Sequence, residues 1–107
     1  MRFLNLFGSP NINQGIQAFQ EAPGALLLDV RTVQEYRQGH IPQSKNVPLQ
    51  SIDKIAELVD NKDTAIFVYC HSGARSRQAA MMLQHMGYTN VKNIGGITAY
   101  EGKVEGI

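Results

Sequence analysis

Cys70 is the only cysteine in the 107-residue chain, and the residues after it decide what a lone thiol can do. It closes the apolar run Ala65–Cys70; then come His71, Ser72, Gly73, Ala74, Arg75 and Ser76, and a helical pattern begins. The reactive form of cysteine is the thiolate, and a helix N-terminus is one of the places that favours it. The first N–H groups of a helix lack internal partners and carry partial positive charge. A tight loop between strand and helix can turn further N–H groups inward as an anion nest. Gly73 suits a left-handed position in such a nest. Arg75 either adds a permanent charge at the rim or folds back to brace the loop. Considered alone, a cysteine ending an apolar strand is a small buried hydrophobe. Followed by this turn and this helix start, Cys70 reads as an activated nucleophile.

Other chemistries fit less well. One thiol cannot form an internal disulfide or a multi-cysteine zinc site. His40, His71 and His85 have no close ligand spacing, so neither a metal nor another cofactor is expected. A papain-like Cys70–His71 pair is disfavoured, because adjacent side chains in a tight loop diverge and no orienting partner is evident.

The elements that must position the thiol are set by periodicity. Asn11 can cap a helix with Ile12, Ile16 and Phe19 inward. Ser51 can cap a second, with Ile52, Ile55, Ala56 and Val59 on one face. A third is expected from Ser76 to Met86, with Ala79, Leu83 and Met86 inward and Gly87 as its stop. A brief helix fits 33–38. Met81 or Met82 is expected to be partly exposed on the third helix, and His85 lies on its polar face. Strands are expected at Leu26–Val30, Ile66–Cys70 and Val91–Ile94, with a weaker one at 44–47. Residues 1–10 read as an edge strand or a loose arm. This alternation implies one α/β domain over 1–107, a mostly parallel sheet flanked by helices on both faces. In such sheets the site lies beyond the carboxyl ends of the strands. That places Asp29–Arg31, the loop after Cys70 and the Gly95–Gly96 turn together.

Ten Lys and Arg against nine Asp and Glu leave a formal charge of +1, without the clustered excess of base that a nucleic-acid partner requires. The longest apolar run, six residues, is too short for a membrane span. Gly8, Ser9 and Pro10 interrupt any signal-peptide core. A cytoplasmic location is expected.

Two stretches resemble the single-domain rhodanese family. LLLDVRTVQEYRQGHIPQSKNVPL is similar to its leading motif, a strand ending in Asp-x-Arg and then Gly-His-Ile-Pro. CHSGARS with MGYTNVKNIGGITAY is similar to its active-site loop and closing Gly-Gly turn. The resemblance runs from about Asn11 to Tyr100. It implies that Cys70 takes sulfane sulfur from a small-molecule donor such as thiosulfate and holds it as a persulfide. A nucleophilic acceptor then removes it: cyanide in a test, or a thiol, including that of a thioredoxin-like protein. His71, Ser72, Gly73, Ala74, Arg75 and Ser76 would form the substrate-binding loop, their N–H groups stabilising thiolate and persulfide. Asp29 and Arg31 would brace that loop, the alternative being a surface pair of Arg31 with Glu35. His40 would fix its turn by a hydrogen bond.

Four residues separate Cys70 from Arg75, whereas the related dual-specificity phosphatases and arsenate reductases have five, enough to surround a tetrahedral oxyanion. Sulfur transfer therefore ranks above phosphoryl or arsenate chemistry. A persulfide carrier or sensor with little turnover is the alternative. The sequence departs from the family at His71, where active members often carry Arg or Lys, and at Tyr100, where Trp is usual. The family's last helix is expected to be short or frayed.

Overall fold

The residues Ile66–Cys70 are buried at every position, so this strand needs a packed layer on each of its faces. The computed structural model describes residues 10–107, and the expected edge strand or arm falls on residues outside those described. Four parallel strands form one sheet: β1 (Leu26–Asp29), β2 (Lys45–Asn46), β3 (Ile66–Cys70) and β4 (Val91–Gly96), in the order β2-β1-β3-β4. β3 is thus central, and its alternate residues feed two cores. Ile66, Val68 and Cys70 join Leu28, Val30, Ile52, Ile55, Ala79, Leu83 and Tyr88 on one face. Phe67 and Tyr69 join Ile12, Ile16, Leu27, Ile41 and Ile94 on the other. The expected α/β sheet, with helices on both faces, is the architecture observed.

Helix α1 (Ile12–Gln20) starts as expected: Asn11 Oδ1 accepts from the N–H groups of Asn13 at 3.0 Å and Gln14 at 3.3 Å. Helix α2 (Val33–Gln38) opens with a reciprocal capping box between Thr32 and Glu35. The next segment departs from expectation. Leu49–Glu57 winds as 3-10 turns with a kink at Ser51, whose side chain caps nothing, because the turn begins at Pro48. Ile52, Ile55 and Val59 are buried as read, but the tighter winding rotates Ala56 into solvent.

Helix α3 (Ala74–His85) begins two residues earlier than periodicity suggests, since Gly73 itself forms the cap residue. It ends in a Schellman motif: Gly87 N–H donates to Gln84 O and Tyr88 N–H to Leu83 O. Met81 and Met82 are exposed, as is His85, while Met86 packs partly against the core. A short 3-10 turn, Ile97–Ala99, comes after β4. Beyond Tyr100 there is no helix. The chain runs as an extended strap in which Glu105 pairs antiparallel with His40, through backbone hydrogen bonds of 2.8 and 2.9 Å. No helix of the described residues is long and apolar enough to cross a membrane.

Tyr88 ties the turn after α3 to the 3-10 segment by donating its buried hydroxyl to Val59 O at 2.7 Å. Tyr88→Phe strands that carbonyl without a partner, and urea unfolding should show a loss of about 1–2 kcal/mol. An unchanged midpoint and slope would contradict this role.

Candidate active site

Cys70 ends β3 with 1% of its surface exposed. The chain then has three residues, His71 to Gly73, in which to reverse into α3. Gly73 makes this possible by adopting φ 106°, ψ −13°, a left-handed conformation that strains any side chain. That geometry aims the Gly73 N–H back at the sulfur, 3.0 Å from Cys70 Sγ. Gly96 contributes from β4, where it is paired with Cys70. A Cβ at Gly96 would overlap the His71 carbonyl oxygen and Ser72 Cα, so only glycine lets the loop lie against β4.

Burial pushes the Cys70 thiol up. The Ser76 hydroxyl and the N–H groups of Ser76, Gly73 and Ser72 outweigh burial and hold the thiol below its ordinary value. The first turn of α3 adds its dipole in the same sense. Ala74, Arg75 and Ser76 therefore act from inside the helix, and not from a loop. Ala74 is exposed and Ser76 fully buried.

Ser76 is held by a residue that sequence reasoning passed over. Its hydroxyl donates to Asn93 Oδ1 at 2.7 Å, and the same oxygen accepts the Gly95 N–H at 3.0 Å. The same hydroxyl also lies 3.1 Å from Gly73 O, so its single proton is shared among several acceptors beside the sulfur. The pairing of β3 with β4 jumps here from Val68–Asn93 to Tyr69–Gly95, one extra residue on β4. This bulge frees Asn93 from regular alternation and turns it to the loop. The break in apolar alternation through Asn93, Ile94, Gly95 and Gly96 was the available signal.

Arg75 folds back. It makes a two-pronged ion pair with Glu35 on α2, at 2.8 and 3.0 Å. Hydrogen bonding from Arg75, helped by the Thr32 cap, brings the Glu35 carboxyl down to about 2 against the burial that would raise it. Arg31 accordingly does not pair with Glu35. Its guanidinium grips the buried Asp29 carboxylate at 2.7 to 3.1 Å and donates to Gly39 O at 2.7 Å. Burial works against the Arg31 charge, but the bonds and charge of Asp29 prevail and raise its pKa. None of the hydrogen bonds of the Asp29 and Arg31 side chains reaches residues 70–76; they brace the turn at Gly39 instead. That turn is fixed again by His40, whose ring stacks on Tyr36 at 3.7 Å and whose Nδ1 donates to Tyr36 O at 2.7 Å. Tyr69, beside Cys70 on β3, accepts the Ile41 N–H at 3.0 Å.

Comparison with known proteins identifies the family and fold. The model of the rhodanese-like domain matches residues 13–103. The chain is 41% identical over 71 residues to the thiosulfate sulfurtransferase PspE of Escherichia coli strain K12, covering 65% of this chain and 68% of that protein. It is 38% identical over 86 residues to a sulfurtransferase of Allochromatium vinosum, covering 78% of each. A solved E. coli rhodanese structure with anions superposes with a TM-score of 0.73 at 34% identity, over 78% of this chain and 99% of that one.

Two predictions rest on these contacts. Ser76→Ala should move the pH midpoint of Cys70 alkylation by iodoacetamide upward and slow the reaction at neutral pH about two- to ten-fold, the value of one hydrogen bond. An unmoved profile would remove Ser76 from the sulfur's environment. The Glu35 carboxyl is depressed in the fold, so its stabilisation is present above its ordinary value of 4.5 and is lost as pH falls through about 2. Glu35→Gln should therefore flatten the stability curve across that interval; a curve of unaltered shape would show that the pair contributes nothing.

Proposed function

This chain belongs to the rhodanese-like sulfurtransferase family, and on that premise we propose that Cys70 carries the transferred sulfur as a persulfide. One observation carries the reading: a buried thiol, at the N-terminus of α3, receives the Gly73 N–H at 3.0 Å and is held below its ordinary pKa. The same contacts that favour a thiolate favour a persulfide anion, because both place negative sulfur before preorganised donors.

With thiosulfate as donor, the Cys70 thiolate attacks the outer sulfur. A bond forms between Sγ and that sulfur, the S–S bond of thiosulfate breaks, and sulfite leaves with the electron pair. The acceptor then attacks the outer sulfur of the persulfide. Cyanide leaves as thiocyanate, and a thiolate leaves as its own persulfide, returning Sγ as thiolate. This is two-step covalent catalysis. With a single cysteine in the chain, the persulfide cannot collapse into an internal disulfide, so an external acceptor completes each cycle. Arg75 supports the reading less directly: its charge is satisfied by Glu35, and it braces the start of α3 against α2.

A persulfide carrier with little turnover is the second reading. It is favoured by His71 in place of a fixed cation and by the pairing of Arg31 and Arg75 with carboxylates. Turnover separates the two.

Incubation with thiosulfate, free of reducing agents, should raise the protein mass by one sulfur, and cyanide should return it with release of thiocyanate. Cys70→Ser should neither gain sulfur nor form thiocyanate above the uncatalysed rate. A mass gain that survives in Cys70→Ser would sink the proposal, while a gain without repeated turnover would select the carrier.

A further inference from the structure

Two of the groups that serve the Cys70 sulfur, the Gly73 N–H and the Ser76 hydroxyl, belong to residues touched by one carboxamide. Asn93, half-buried on β4, accepts the Gly95 N–H at 3.0 Å and the Ser76 hydroxyl at 2.7 Å on Oδ1. Its Nδ2 donates to Gly73 O over a longer 3.5 Å. A backbone N–H can only donate, so the atom facing Gly95 is the oxygen, and the amide has one orientation. The nitrogen is thereby aimed at Gly73, the left-handed residue whose N–H meets Sγ. One side chain of β4 thus holds both the cap residue and the first turn of α3.

The Ser76 hydroxyl is buried, with three oxygens around it besides the sulfur: Asn93 Oδ1, Gly73 O at 3.1 Å and Gly95 O at 3.5 Å. Beside a neutral thiol its proton rests on Asn93, the shortest of these bonds. Beside an anionic sulfur the sulfur is the stronger acceptor, since hydrogen bonds to ionised groups exceed neutral ones. When the hydroxyl turns, Oδ1 keeps the Gly95 N–H, so the change strands no buried acceptor. The charged and titratable groups around Cys70 are otherwise engaged. His71 follows it in the loop, Arg75 of α3 is paired with Glu35 of α2, and Arg31 with Asp29 at the end of β1. The facing part of β4, from Asn93 to Gly96, carries no charge. None of those groups hydrogen-bonds to Asn93.

We propose that Asn93 is a positioning residue for sulfur transfer: it holds Gly73 and Ser76 toward Cys70, accepts the Ser76 hydroxyl while the sulfur is neutral, and releases it when the sulfur is a thiolate or persulfide anion. The role in transfer rests on the sulfurtransferase reading above. An amide suits the task because one end accepts and the other donates. A carboxylate of the same shape cannot donate to Gly73 O, and its charge retains the hydroxyl.

Two measurements on the full chain test this. Asn93→Asp should raise the pH midpoint of Cys70 alkylation by iodoacetamide by about one unit, the scale of a nearby like charge and a withheld donor. In a Ser76→Ala background the same change should raise it by at most about half as much, a coupling that the added charge alone does not produce. The second measurement leaves Asn93 intact. In the wild-type chain the Gly95 amide proton should move downfield with the Cys70 midpoint, as the hydroxyl leaves Oδ1 and the remaining bond strengthens. In Ser76→Ala it should move less than about half as far. Equal midpoint shifts in both backgrounds, or a Gly95 resonance that moves equally in both proteins or in neither, would overturn the proposal. If Asn93→Asp does not fold, the Gly95 resonance decides alone. Failure of the wild-type chain to take sulfur from thiosulfate, with both couplings present, would fault the sulfurtransferase reading and leave the hold of Asn93 on Ser76 standing.

Discussion

The site depends on how closely the end of β4 can approach the chain that leaves β3. Cys70 stands opposite Gly96, and the backbone of His71 and Ser72 occupies the space that a side chain at Gly96 would need. Because that space is empty, the three residues after Cys70 can fold down against β4 instead of splaying outward. Only in the folded-down position does the Gly73 N–H meet the sulfur and α3 begin at Ala74. The geometry around the sulfur thus rests on two glycines: one gives room, the other gives a left-handed turn.

Around this contact, charge is used for bracing. The Asp29–Arg31 pair is almost fully buried, and a buried ion pair is tolerated only when its remaining polar atoms are satisfied. Here Asp29 also accepts the Arg31 backbone N–H, and Arg31 also donates to Gly39. The pair therefore joins the end of β1 to the Gly39–His40 turn. Glu35 performs the matching task at the surface, capping α2 with one oxygen while both grip Arg75. Two carboxylate–guanidinium links thus tie the segments around Arg31 and α2 to their neighbours.

Much of this was legible in the sequence, and the rest failed for definable reasons. β3 was visible because six consecutive apolar residues leave a strand few alternatives, and the Cys70 loop because a cysteine, a glycine and a helix start fall within a few residues. Asn11 was visible because its capping is local. Ser51 misled because apolar spacings of three and four fit both an α-helix and a 3-10 winding, and Pro48 had already set the turn. The partner of Arg75 lies 40 residues away on another helix, so no local pattern could select Glu35 over solvent. Asn93 escaped because its role exists only once a bulge turns it toward Ser76. The strap escaped likewise: Glu105 has nothing to pair with until the fold brings His40 to it.

That strap fixes where polypeptide leaves the domain. Ile107 is hydrogen-bonded to α2 at Arg37, one residue from Gln38. Anything joined to this end, whether an affinity tag or another folded module, emerges alongside the cleft lined by Gln38 and His71. A tethered group there is present at a local concentration in the millimolar range for a short flexible connection. The position of the carboxyl end thus makes fusion itself a means of holding a second group beside the cleft, without any contact evolved for it.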